Sequence, residues 1–314
     1  TLLSSLCFLV GIASAMAQGG TWISQATGFP TTSTGVFNIS VVDQNVVWIS
    51  SYDGSGSNLN IRDYSVTIDG GSTWIPGVIP APAGHAWSQI FGLNDQVAWA
   101  VMYNATAGSG GGIWKTTDGG VHWKPIFDQM DNSSIGALAI SKSHPQQVWA
   151  GTGETFVIRP AHANGNGIYK SSDGGKTWEN KGLKETVLIS KVIVDPTDTN
   201  TIYVAAMGHM HGPQAERGVY KTTDAGKTWN QTLASDANTG AIDVDIDPSN
   251  EQVLYAAMWY RTRTASNFEE SGKTSGIFKS TDGGDHWTLV STPTSGFPSG
   301  DGVGRIGLAV YPKN

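Results

Sequence analysis

The sequence predicts an all-β chain, a β-propeller of four-stranded antiparallel blades. Three observations lead there: a short box that returns five times, β-rich runs at fixed places around each box, and the lack of any sustained helical period. Composition agrees. The 314 residues include 40 glycines and 12 tryptophans, 39% are hydrophobic, and only 14% are charged, against the ~25% usual for soluble domains. Such a chain is too apolar and aromatic to be disordered, and its glycines lack the every-third-residue period of collagen. A formal net charge of −7 argues against a phosphate-binding surface, so no nucleic-acid partner is expected.

Taken in chain order, the first element is an apolar run from Leu2 to Val10, followed by Ala13, Ser14, Ala15, Met16 and Ala17. This reads as the core and cleavage site of a secretory signal over residues 1–17, with the start of the signal missing. The expected location is therefore extracellular or periplasmic. The run is too short to span a bilayer, and no membrane span is expected elsewhere. Cys7, the only cysteine, falls within this segment, so the mature chain would hold no disulfide.

The remaining residues, 18–314, read as propeller. The boxes are Thr67-Ile-Asp69-Gly-Gly-Ser-Thr-Trp74, Thr116-Thr-Asp118-Gly-Gly-Val-His-Trp123, Ser171-Ser-Asp173-Gly-Gly-Lys-Thr-Trp178, Thr222-Thr-Asp224-Ala-Gly-Lys-Thr-Trp229 and Ser280-Thr-Asp282-Gly-Gly-Asp-His-Trp287. Their aspartates are 49, 55, 51 and 58 residues apart. Before four of the boxes stands a short strand opened by glycine, as in Gly112-Ile-Trp-Lys and Gly218-Val-Tyr-Lys. Upstream of each box lies an apolar β run, such as Val148-Trp-Ala150 or Ile202-Tyr-Val-Ala205, and before that another run, clearest as Ile135-Gly-Ala-Leu-Ala-Ile140. One unit is thus strand A, an Asx-rich turn, strand B, a variable loop, strand C, the box, and strand D starting at its Trp. Four strands per unit of about fifty residues is a propeller blade. The blades are expected near 36–80, 86–130, 135–184, 187–235 and 240–292, with a sixth beginning at 304.

Within each box, Asp can accept hydrogen bonds from turn amides, glycine permits positive φ, and Trp packs on neighbouring strands. Asp69, Asp118, Asp173, Asp224 and Asp282, with Trp74, Trp123, Trp178, Trp229 and Trp287, are therefore expected to be structural. Thr21-Trp-Ile23 matches the opening of a strand D without its box, as the outer strand of a closing blade would. Arg305-Ile-Gly-Leu-Ala-Val310 matches a strand A. Five complete blades and part of another suggest a fragment of a larger propeller.

The box pattern resembles the Asp-box, or bacterial neuraminidase repeat, family. From about Trp123 onward the likeness extends to bacterial sortilin-type propeller proteins, through Gly151-Thr-Gly-Glu154, Gly208-His-Met-His-Gly-Pro213, Thr239-Gly-Ala-Ile-Asp243 and Gly304-Arg-Ile-Gly307. That resemblance implies a large secreted bacterial protein described as glycosyl-hydrolase-like. The first ~124 residues are similar instead to repeats of secreted proteins that carry a C-terminal sorting domain. Charge divides the chain at the same place. Residues 1–130 hold three Lys/Arg and seven Asp/Glu, and residues 131–314 hold sixteen and nineteen. Two repeat lineages fused naturally, or two genes joined artificially at a shared box, both account for this.

Boxes and A–B turns are expected on one face and B–C loops on the other, where propellers usually bind ligands. The charged loops belong to blades 3, 4 and 5. The ligand-binding candidates are Arg159, His209, His211, Glu216, Arg217, Arg261 and Arg263, and the weak catalytic candidates are Glu154, Tyr260 and Glu269. The leading reading is a secreted binding or scaffold module for a glycan or peptide. The alternative is a glycoside hydrolase: a sialidase would use an arginine cluster with a Tyr/Glu nucleophile pair, and a xyloglucanase two carboxylates facing each other across a cleft. No cofactor and no metal are expected. The Gly-Lys-Thr tripeptides at 175, 226 and 272 lack the earlier glycine of a P-loop, and His209-Met-His211 has no evident third ligand. Asp243, Asp245 and Asp247 alternate along a strand A, where turn capping and pairing are expected ahead of cation binding.

Overall fold

The structure, a computed structural model, describes residues 24–57, 59–105, 111–153 and 164–311. The signal segment and Thr21-Trp-Ile23 lie outside the described residues. Five four-stranded antiparallel sheets follow one another along the chain, each with its strands in sequence order. Blade 1 contains β1 (Thr34–Val41), β2 (Val47–Asp53), β3 (Asp63–Thr67) and β4 (Ile75–Val78). Blade 2 contains β5 (His85–Gly92), β6 (Ala98–Asn104), β7 (Gly112–Thr116) and β8 (Lys124–Pro125). Blade 3 has β9 (Ile135–Ile140), β10 (Val148–Thr152), β11 (Ile168–Ser171) and β12 (Glu179–Asn180). Blade 4 has β13 (Ile189–Val194), β14 (Ile202–Ala206), β15 (Gly218–Thr222) and β16 (Asn230–Leu233). In blade 5, β17 (Thr239–Asp247) and β18 (Asn250–Tyr260) are separated from β21 (Gly276–Ser280) and β22 (Thr288–Leu289) by a small hairpin, β19 (Thr262–Arg263) with β20 (Phe268–Glu269).

The hydrophobic core is not one mass. Each cluster lies between two successive blades. Trp48, Tyr64 and Val66 of blade 1 meet Trp87, Ala100 and Trp123 of blade 2, and Trp99 and Phe127 of blade 2 meet Leu138 and Tyr169 of blade 3. The same pattern joins Trp149 to Val204 and Tyr220, and Tyr203 to Val244 and Met258. Strands buried on both faces explain the near-continuous apolar runs of the B strands. The innermost strands of blades 2–5 line a channel of about 580 Å³.

Residues 304–311 form no strand. They run beside β17, where Leu308 N–H donates to Asp243 Oδ2 (3.0 Å) and Val310 N–H to Asp245 Oδ2 (2.9 Å). The alternation at 305–310 suggested a strand, but these amides are taken by carboxylates. Asp243 also lies 3.6 Å from Lys191 Nζ, and Asp247 accepts from Ser249 within its turn.

The glycine that opens strand C has a specific cause. Gly218 adopts φ +139°, and a Cβ there would lie 1.9 Å from the carbonyl oxygen of Leu233. Gly167 (φ +105°) stands in the same relation to Gly182 at 2.0 Å. Strands C and D approach too closely at this point for any side chain.

Candidate functional site

All five boxes have one geometry. In the third, Ser171 Oγ donates to Asp173 Oδ1 (2.8 Å) and accepts from Gly175 N–H (2.8 Å), while Thr177 donates both its N–H (2.9 Å) and Oγ1–H (2.6 Å) to Asp173. In the second and fifth boxes His122 and His286 replace that Thr, with Nδ1 at 2.7 and 2.6 Å from Asp118 and Asp282. Each box also donates an amide to the A–B turn of its own blade: Gly70 to Asn45, Gly119 to Gln96, Gly174 to Gln146, Ala225 to Asn200 and Gly283 to Gln252. Boxes and A–B turns therefore share a face.

Hydrogen bonds to the ionised form hold these carboxylates below the ordinary aspartate value of 3.8. Asp118 is brought down to about 2 by the amide and ring of His122. Asp173 and Asp224 lie well below it through their threonines, Asp282 through His286, and Asp69 is lowered through Thr73. Groups this acidic cannot donate a proton at neutral pH. Because folding depresses their pKa, the stability they contribute is present above about 3.8 and is lost as pH falls through the folded values. Thermal scans should show Tm falling steeply between about pH 4 and 2. In Asp173→Asn, Tm at pH 7 should drop and the acid slope should become shallower. An unchanged slope would refute this account.

On the opposite face, the β14–β15 loop is organised by Arg217. Its guanidinium donates to the carbonyls of His209 (2.8 Å), Gly212 (3.1 Å) and Asn238 (3.3 Å), and burial lowers its pKa. His209 and His211 are exposed, and Glu216 is partly exposed. His211 Nδ1 lies 3.4 Å from the carbonyl of Arg263. Gln214 hydrogen-bonds the amide of His209 and the carbonyl of Glu185, closing the loop onto the link between blades 3 and 4.

In blade 5, Tyr260 Oη stands 3.4 Å from Glu269 Oε2, which also accepts from Thr262 Oγ1 at 3.2 Å. The structure thus brings together the Tyr/Glu pair singled out from sequence. Glu269 is exposed on the hairpin, however, without the enclosure that glycoside cleavage uses. Arg261 is buried against Trp259 and Phe268, and Arg263 also lies over Phe268. Glu154 and Arg159 lie outside the described residues. Among the described residues no group of three or more His, Cys, Asp or Glu gathers to hold a metal ion.

Sequence reasoning missed a second feature of this face. Between blades 1 and 2 a groove of about 190 Å³ is lined by Phe37, Tyr52, Trp87 and Tyr103, together with Asp53 and Asn60. The Tyr52 ring lies over Gly35, whose missing side chain makes room for it, and it remains 48% exposed. Phe37 is 47% exposed. Asp53 accepts the amides of Ser55 (2.9 Å) and Leu59 (2.8 Å) and is lowered below its ordinary value mainly by Ser55. The signal was available: Tyr52 and Tyr103 occupy matching places where strand B leaves for the loop.

The chain is built of Asp-box propeller blades. Residues 166–300 match the family model described as Sortilin, neurotensin receptor 3. A xyloglucanase from a Paenibacillus species is 25% identical over 218 residues, covering 62% of this chain and 20% of that protein. A xyloglucanase from Acetivibrio thermocellus is 23% identical over 262 residues, covering 76% of this chain and 28% of that protein. The chain therefore spans about a fifth to just over a quarter of these relatives. Solved structures share the propeller fold. The GH74 enzyme of Niastella koreensis has a TM-score of 0.55 and 23% identity, covering 82% of this chain and 38% of that one. YCF48 from Cyanidioschyzon merolae has a TM-score of 0.54 and 16% identity, covering 91% and 92%. No helix among the described residues is long and apolar enough to cross a membrane.

Proposed function

We propose that this chain is a secreted propeller module that binds a saccharide through its B–C loop face. The observation that carries this reading is the groove between blades 1 and 2, where half-exposed aromatic rings adjoin Asp53 and Asn60. Sugar rings present apolar C–H faces edged by hydroxyls, and aromatic rings beside polar groups match both. The groove is open and shallow, and Asp53 is already engaged by two loop amides, so it suits holding a chain more than protonating a glycosidic oxygen. The xyloglucanase relatives support a glycan as the ligand class. They also favour a second reading, a glycoside hydrolase whose cleft includes these blades.

One experiment separates the two. Xyloglucan oligosaccharides titrated calorimetrically into the chain should bind, and Tyr52→Ala should weaken binding about tenfold or more, on the scale of one lost stacking contact. No new reducing ends should appear. Release of reducing ends that Glu269→Gln or Glu154→Gln abolishes, with binding intact, would replace the binding reading by the hydrolase.

A further inference from the structure

Four of the six arginines in the chain gather at the blade 5 end of the same face. Arg217 and Arg261 are only 2% and 4% exposed. Burial holds the pKa of Arg261 down to about 10 against the pull of Glu270, helped by Arg217, Arg263 and Arg305, which all lie within electrostatic reach of it. Arg305 is brought there by the stretch at 303–305, which is tied to the hairpin loop through Gly272 N–H donating to Val303 O.

Among the described residues no carboxylate lies within ion-pair distance of any of these four groups. Glu270 attracts Arg261 and Asp236 attracts Arg217 only from beyond that distance, and Glu269 is turned to Tyr260, Thr262 and Asn267. The polar partner of the Arg261 fork is the thioether of Met210, a weak acceptor. The Nε of Arg217, the Nε of Arg261 and Nη1 of Arg263 are buried without an acceptor. Arg217 is otherwise held by three loop carbonyls, but a buried guanidinium left short of acceptors, as at Arg261 and Arg263, is costly. The chain carries 26 Asp and Glu, so acids are not scarce.

We propose that this arginine nest is a carboxylate subsite for an acidic oligosaccharide bearing uronic acid residues. The inference rests on the saccharide reading above and adds the charge that the ligand carries. Partly exposed Arg263 and exposed Arg305 front the site, while Arg261 and Arg217 supply charge from behind. A guanidinium fork meets a carboxylate with two parallel hydrogen bonds. Phe268 lies against both Arg261 and Arg263, and the exposed His211 ring stands beside the Arg263 backbone, an aromatic ring and an imidazole of the kind that a pyranose engages.

The test titrates the whole chain with trigalacturonate, a neutral xyloglucan oligosaccharide, and a short peptide with a free terminal carboxylate. Trigalacturonate should bind, more weakly as salt rises. Arg263→Gln, at the partly exposed position, should weaken it at least tenfold and leave the neutral oligosaccharide unaffected. Arg261→Met, with Tm monitored, should do the same. Neutral binding with no trigalacturonate binding, or trigalacturonate binding indifferent to Arg263→Gln, would overturn the inference and leave the saccharide reading standing. Failure of both saccharides would overturn both. Peptide binding in preference to trigalacturonate, lost in Arg263→Gln, would assign the nest to a peptide carboxylate and overturn the uronate.

Discussion

Replacing Trp149 by alanine should cost about 3–5 kcal/mol, the range for removing a large aromatic from a packed core. Trp149 is fully buried and serves two blades at once. Its ring meets Trp229 edge-on at 6.4 Å, lies beneath Lys170 at 5.2 Å, and closes against Gly226 of the next box. Calorimetry should show Tm lower by on the order of 10 °C, whereas Trp149→Phe should recover most of the loss. A drop of less than about 1 kcal/mol would mean that the inter-blade layer does not support the fold as described.

The second large effect is expected from a single added methyl group. Gly218→Ala places a Cβ against the Leu233 carbonyl in a backbone conformation that only glycine adopts freely, so β15 and β16 must separate. A loss of about 2–4 kcal/mol in urea unfolding is expected. Gly296 provides the control, since it too has positive φ (+79°) but nothing lies within 4 Å of a Cβ there. Gly296→Ala should cost about 1 kcal/mol, the conformational part alone. Equal losses at the two sites would show that the close approach of strands C and D carries no energy.

The fold was legible because its punctuation is chemical and local. Asp173 and the Ser and Thr flanking it close their turn by hydrogen bonds spanning four residues or fewer, so every box announces itself in a window of eight. The β-branched and aromatic runs around it place the remaining strands in the same way. What local sequence does not carry is partnership at a distance. Lys115 donates to Gly174 O from 59 residues away, and nothing near Lys115 shows that it faces the following box. The 305–310 run alternates like a strand, but whether its amides meet a strand or two aspartates depends on what lies alongside. The B–C loops were read by charge, which found the arginines and the Tyr260–Glu269 pair but passed over Tyr52 and Tyr103. Those rings look like ordinary strand aromatics until the sheet ends beneath them. Arg217 shows the opposite limit: its charge suggests a surface group, but it is a buried strut whose hydrogen bonds shape the loop around it.

The contacts between blades repeat as well, and they run both ways. Each blade receives the box of the next: Tyr64 Oη on Gly120 O, Lys115 on Gly174 O, Tyr203 Oη on Gly283 O. Three boxes send their Trp back to the outer edge of the blade before: Trp178 to Ile126 O, Trp229 to Lys181 O and Trp287 to Thr232 Oγ1. Gln25 occupies the corresponding place against the first box, donating to Gly70 O. At the other end Tyr255 and Lys279 form the same ring-and-cation pair, 5.5 Å apart. Plug and socket thus travel together in one genetic unit. Duplicating or deleting a whole blade would therefore carry one plug and one socket with it and leave the backbone half of each remaining joint in place. A lesion within one blade has no such neutrality: it spoils a joint on each side and should spread its cost to both neighbours.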